Sequence, residues 1–189
     1  MQKPTTSLKL QRLDDVATLR LLEVQERVDF MVIIRLNRGH IKELAEVDAE
    51  AEHSLMVRYV KPTMRDHRER LVKRFNEGHE MFFGYKEDGI LKGYITLKPF
   101  FPGHKHCEIY WLSIRKQYQG QRIGTKLISF VEKLAKRMGF RKIFLYTGKA
   151  MDGERKFYGK KGFRFINEFP GYYGFAAGPT TAVLYGKEL

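Results

Sequence analysis

The sequence predicts a single domain of mixed α/β (α+β) class, and three observations predict it. Short β-branched and aromatic runs alternate along the chain with helix-period stretches. Two of those runs, "MFFGYK" at 81–86 and "ILKGYITL" at 90–97, are separated by "EDG", whose Asp88-Gly89 is a hairpin signal. Third, Ile123, Leu127, Val131, Leu134 and Met138 recur at helical spacing and end on Gly139, which marks an amphipathic helix over about 121–138. The 189 residues suffice for one sizeable core and fall short of two.

The other elements follow from the same rules. "VDFMVIIRL" at 28–36 reads as a strand, so the domain is expected to span 28–189, with residues 1–27 an N-terminal extension carrying a helix near 14–25. Asn37 can cap a helix running to about Leu55, with Ile41, Leu44, Ala45 and Asp48 near one face. Thr63 with Asp66 three residues on forms a capping box for a helix to about Asn76, closed by Gly78. "CEIYWLSI" at 107–114 completes an antiparallel meander. "KIFLYT" at 142–147 is a strand, followed by a short helix over 150–160, a strand "FRFI", an aromatic Gly/Pro-rich loop and a last strand near 181–187.

Composition narrows the function. At 43% hydrophobic and 30% charged residues, the chain is globular rather than disordered. No apolar run reaches the roughly 18 residues of a membrane span, and the N-terminus lacks a signal-peptide centre. With one cysteine, Cys107, the expectation is a cytoplasmic protein without an intrachain disulfide or membrane partner. The net charge of +13 is localised: residues 115–161 hold 14 Lys/Arg against three acids, whereas 1–114 hold 19 against 17. That distribution favours a local anion site over a nucleic-acid coat. In "RDHRERLVKR" at 65–74, Asp66 and Glu69 interrupt the basic run, as on a solvated helix face. "HKHC" at 104–107 lacks a second ligand pair, so no metal is expected.

The basic region contains "YQGQRIGTKL" at 118–127. It carries the chain from a strand into a helix, and the free N–H groups of a helix start form an anion site. The spacing is not that of a nucleotide P-loop, since Thr125 precedes Lys126, nor is it the dinucleotide fingerprint G-x-G-x-x-G. A glycine-started helix without ligand is the plain alternative.

"IRKQYQGQRIGTKLISFVEKLAKRMGF" resembles the coenzyme A signature Q/R-x-x-G-x-G/A of the GNAT superfamily of N-acetyltransferases. Gln119 fills its first position, Gly124 its last, and Arg122 replaces its middle glycine. A helical N–H is expected there, which any L-residue supplies. "FYGKKGF" at 157–163 is similar to the family's F/L-Y-x-x-x-G-F segment, and "GYITL" to its third strand, although Met151 and Glu154 depart from the usual residues of the intervening helix. The resemblance implies the GNAT fold: a central, mostly antiparallel mixed sheet of about six or seven strands flanked by about four helices. It also implies acetyl-CoA as acetyl donor, held by Leu112, Ser113, Ile114, Gln119, Gly120, Gln121, Arg122, Ile123, Gly124, Thr125 and Lys126.

Acetyl transfer from a thioester to an amine needs a base for the amine, donors for the developing oxyanion and a proton for the thiolate. Glu108, in an otherwise apolar and aromatic strand, is the candidate base. It would share a face with Tyr110, Leu112 and Ile114 unless a bulge intervenes. The resemblance implies such a bulge, exposing the N–H near Ile114 to the thioester. It also assigns Tyr158 as the general acid. Tyr172 and Tyr173 are candidates for one wall of an acceptor groove, in a loop whose layout resembles that of protein N-terminal acetyltransferases. The acceptor stays open between a peptide or protein N-terminus, a lysine, a polyamine and other small amines. A non-catalytic acyl-CoA-binding module is the rival reading.

Overall fold

In a computed structural model, residues 31–51, 62–99, 105–174 and 181–189 are described. Strand β1 (Met31–Leu36) leads through a 3-10 turn into α1 (Ile41–Glu50), α2 (Met64–Glu77) follows, and β2 (Met81–Glu87), β3 (Ile90–Pro99) and β4 (His106–Ile114) form the meander. Then come α3 (Ile123–Arg137), β5 (Lys142–Gly148), α4 (Asp152–Lys160), β6 (Arg164–Phe169) and β7 (Ala182–Glu188). The seven strands make one sheet in the order β1-β2-β3-β4-β5-β7-β6, antiparallel except for the β4–β5 pair. The expected helix near 14–25 and the boundary at residue 28 lie outside the described residues.

Local chemistry sets the element ends. Asn37 and His40 form a reciprocal capping box, as do Thr63 and Asp66, and Gly78 closes α2 in the left-handed conformation. Asp88 and Gly89 both take positive φ, 51° and 75°, as the hairpin turn between β2 and β3 requires. Helix α1 is described to Glu50, the expected end near Leu55 lying outside the described residues, and α3 begins at Ile123 rather than near 121.

The sheet has a core on each face. On one, Ile123, Leu127, Ile128, Val131, Leu134 and Ala135 of α3 pack with Ile95, Leu97, Cys107, Ile109, Ile143 and Leu145 of the strands and with Tyr158 of α4. Each such aliphatic side chain contributes about 1.5–3 kcal/mol on burial, so truncating the fully buried Leu127 to alanine would cost about 2–5 kcal/mol. On the other face α1 and α2 cover Phe82, Leu91 and Tyr94. A buried carboxylate ties this layer together: Asp48 accepts hydrogen bonds from Tyr94 Oη at 2.8 Å, Trp111 Nε1 at 3.0 Å and Arg70 Nη2 at 2.9 Å.

Candidate active site

The site starts from how β4 is paired. Along β3 it is zipped to its end, Gly93 opposite Ile114, but its parallel ladder with β5 stops at Ile109 opposite Leu145. The β3 register breaks where Thr96 faces Trp111 while Leu97 faces Ile109, leaving Tyr110 as an extra residue on β4. This bulge bends the strand and reverses its alternation. Before it, Cys107 and Ile109 face the α3 core; after it, Leu112 and Ile114 do. Glu108 therefore does not share a face with Leu112 and Ile114 and points to the α1–α2 side. Beyond the bulge, Arg115 N–H donates to the Lys92 carbonyl of β3 at 2.9 Å. By strand alternation the N–H groups of Leu112 and Ile114 then point the other way, into the opening between β4 and β5.

The opening ends at the loop entering α3. The first intrahelical bond of α3 runs from Lys126 N–H to the Arg122 carbonyl at 3.0 Å, so Ile123, Gly124 and Thr125 present N–H groups without an intrahelical acceptor. Gly120 takes φ +78° and a Cβ there would meet nothing within 4 Å, which leaves room for a ligand to approach the backbone. Gly124 sits against α4, where a Cβ would lie 3.3 Å from Phe157 Cζ. Arg122 is not helical: it is the N-cap residue at φ 63°, ψ 8°. The expectation of an ordinary helical N–H at that position is overturned, because the chain turns into α3 through a left-handed residue, which is why glycine is the easier occupant.

Side chains of the loop face inward as well as out. Gln119 Nε2 donates to the Ile114 carbonyl at 3.1 Å and to that of Ala51 at 3.3 Å, tying the loop to β4 and to the end of α1. Gln121 Nε2 reaches the Gln117 carbonyl at 3.2 Å, and Lys126 Nζ reaches Tyr85 Oη at 3.2 Å. Ser113 is buried. Arg115 adds a staple that the sequence did not reveal, donating to the Leu91 carbonyl at 2.8 Å and pairing with Glu46 and Glu50 of α1.

The two candidate catalytic groups lie on opposite faces of the sheet. Glu108 is 7% exposed, and burial, reinforced by the Glu80 carboxylate and opposed by Lys98, lifts its carboxyl to about 7. Its field reaches Tyr146, Tyr172 and Tyr173, all raised chiefly by burial, with Tyr173 at about 12. Tyr172 stacks on Tyr146 with ring centroids 4.9 Å apart and meets Tyr173 edge-on at 5.2 Å. Tyr158 packs on Phe157 and Phe163 beneath the opposite face, its phenol pushed well above the ordinary tyrosine range by burial and by Glu154 and Tyr173. Tyr173 thus lies within electrostatic reach of both groups. The structure brings Glu108 together with Tyr172 and Tyr173, and sets Tyr158 in the α3-face core beside Phe157, the residue that lies against Gly124. Tyr146, Lys98 and Glu80 are neighbours of Glu108 that the sequence did not single out.

Residues 44–163 match the family model described as Acetyltransferase (GNAT) family. The chain belongs to this family. Among curated proteins, the GNAT chain is 38% identical over 63 residues to "Probable N-acetyltransferase 14" of Xenopus tropicalis, a match covering 33% of this chain and 30% of that protein. The PaiA N-acetyltransferase of Thermoplasma acidophilum, solved in complex with coenzyme A, shares the fold at TM-score 0.68 with 22% identity over 84% of this chain and 99% of that one. The ribosomal-protein-S18-alanine N-acetyltransferase of Escherichia coli does so at 0.68 with 13% identity over 84% and 93%. The seven-stranded sheet with one parallel pair is the GNAT fold that the sequence predicts. Among the described residues no helix is long and apolar enough to cross a membrane.

Proposed function

We propose that the chain transfers the acetyl group of acetyl-CoA to a primary amine, with a peptide or protein N-terminus or a lysine as the first acceptors to test. The observation that carries this reading is Glu108: a buried carboxyl at the mouth of the β4–β5 opening, lifted to about 7, is poised to take a proton near neutral pH. The α3 start and Gly120 would receive the pyrophosphate of the coenzyme, with the thioester lying along the unzipped edge of β4. Glu108, through a water, removes the amine proton as the nitrogen attacks the thioester carbon. The Ile114 N–H donates to the oxyanion, and as the carbon–sulfur bond breaks Tyr158 gives its proton to the thiolate. Burial makes Tyr158 a weak acid at rest, but sulfur developing charge in the same desolvated space gains proton affinity too.

A thermal shift with acetyl-CoA, followed by a panel of free-N-terminus peptides, lysine peptides, polyamines and small amines with thiol-release detection, tests the reading. Stabilisation by acetyl-CoA together with amine-dependent thiol release is the expected result. Stabilisation without release from any amine would establish the acyl-CoA-binding module instead.

A further inference from the structure

Arg74, in the last turn of α2, and Glu80, just beyond that helix, keep only 7% and 3% of their side chains exposed. The acetyl transfer described above uses neither. Taking two charges out of water is expensive, and apolar side chains of similar shape would fill the space at lower cost. Arg74 Nη1 is moreover buried without a hydrogen-bond partner among the described residues.

The position of the guanidinium gives the pair a role. Arg74 Nε donates to Glu80 Oε1 at 3.0 Å, and Nη2 donates both to Glu80 Oε2 and, at 3.1 Å, to the Thr96 hydroxyl. The guanidinium carbon lies 5.2 Å from the Tyr110 ring centre and 5.4 Å from that of Trp111. Thr96 is the last β3 residue before the register break, Trp111 is its partner, and Tyr110 is the extra residue. One planar cation therefore holds both strands of the bulge from above, a task that suits a forked, stacking guanidinium and not an ammonium. The bulge in turn sends Glu108 to the α1–α2 face.

We propose that Arg74 and Glu80 are positioning residues for Glu108: the pair clamps the Tyr110 bulge from α2 and sets a fixed carboxylate beside the base. This rests on the assignment of Glu108 as the base. Among the described residues, the groups facing Glu108 are Lys98, its cross-strand partner on β3, Glu80, Tyr110, Tyr146 on β5, and Tyr172 and Tyr173 after β6. Glu80 is the one other carboxylate among them, and burial raises Tyr146, Tyr172 and Tyr173 further from the pH range in which a glutamate titrates. Glu80 raises the proton affinity of Glu108, and its removal lowers it.

The test is a titration of the full chain with 13C-labelled glutamate carboxyls, the Glu108 signal being the one missing from Glu108→Gln. The signal is expected to titrate near 7 in the wild type and at a lower pH in Glu80→Gln. Arg74→Lys keeps the charge and loses the fork. Assayed with acetyl-CoA and a free-N-terminus peptide, it is expected to lower kcat about tenfold with the acetyl-CoA KM within twofold. A Glu108 signal that does not move in Glu80→Gln overturns the inference even if Glu108→Gln is inactive. A fully active Glu108→Gln instead removes the base assignment on which it rests. Should Glu80→Gln not fold, Thr96→Val loosens the same clamp and must lower kcat without raising the acetyl-CoA KM; unchanged kcat there overturns the clamp.

Discussion

The two ends of the opening between β4 and β5 are built from different materials. At the α3 end the groups proposed to receive the coenzyme are backbone N–H donors, exposed by a turn through Gly120 and Arg122, while Gln119 and Lys126 bond to the protein itself. At the other end the groups proposed for the chemistry are side chains, Glu108 and Tyr158, and burial raises the proton affinity of both. A backbone site tolerates many side chains but not a change of dihedral or an added Cβ. A side-chain site tolerates neither the loss of its group nor a change in what surrounds it.

Substitutions at the two ends should therefore move different constants. The largest effect is expected for Glu108→Gln, a loss of about 100-fold or more in kcat with unchanged acetyl-CoA affinity, measured by steady-state kinetics and by titrating the fluorescence of Trp111, the single tryptophan. A matching loss of acetyl-CoA affinity would erase the distinction between the ends. The same residue sets a pH dependence: kcat/KM should rise as pH passes through about 7, and this limb should vanish in the glutamine variant. Stability has the opposite sign. The folded state holds the Glu108 proton more tightly than the unfolded chain, so its contribution is fullest at low pH and lost as pH rises from the ordinary glutamate range through about 7. In chemical denaturation above that pH, Glu108→Gln should be at least as stable as the wild type.

Next in size, Tyr158→Phe should lower kcat by about 10- to 100-fold and leave acetyl-CoA binding nearly unchanged; a large loss of binding would remove its assignment as the acid. Gly124→Ala tests the other end. Its Cβ would crowd Phe157 at 3.3 Å, and overpacking typically costs about 1–3 kcal/mol, so calorimetry should show acetyl-CoA binding weakened by about tenfold with kcat little changed. The smallest effect is expected for Arg122→Gly. Relief of the left-handed residue, partly offset by the added freedom of the unfolded chain, should raise stability by about 1 kcal/mol or less, with acetyl-CoA affinity within about threefold. A large gain in affinity would show that the arginine obstructs the site.

Features decided by neighbours in sequence were legible. The Thr63–Asp66 box, the Asp88-Gly89 turn and the glycine spacing before α3 depend on residues within a few positions. Glu108 stood out as a charge inside an apolar strand. Features decided across the sheet were not. The Tyr110 bulge is a matter of register with β3, and the partners of Asp48 lie 22, 46 and 63 residues away. Arg74 looked like one more cation on a solvated helix face, because Thr96 and Tyr110 are distant in the chain and Glu80, six residues on, lies past the end of the helix and off its period. The left-handed conformation of Arg122 was missed for a related reason: the residue type argues against it, and the turn into α3 imposes it.

The extra residue in β4 also governs how the strand can be recombined. Deleting Tyr110 would make Ile109 and Trp111 neighbours opposite Leu97 and Thr96, so plain alternation would run through β4 with Cys107, Ile109, Leu112 and Ile114 all kept on the α3 face and only the bulge lost; flattening the bulge with Tyr110 kept would instead turn one of those pairs out of the core. Chimeras with related acetyltransferases joined within β4 should therefore keep their core when a splice drops that single position, losing the bulge and with it the clamp, and should lose core packing when a splice removes or adds one residue elsewhere in the strand, however alike the joined sequences are.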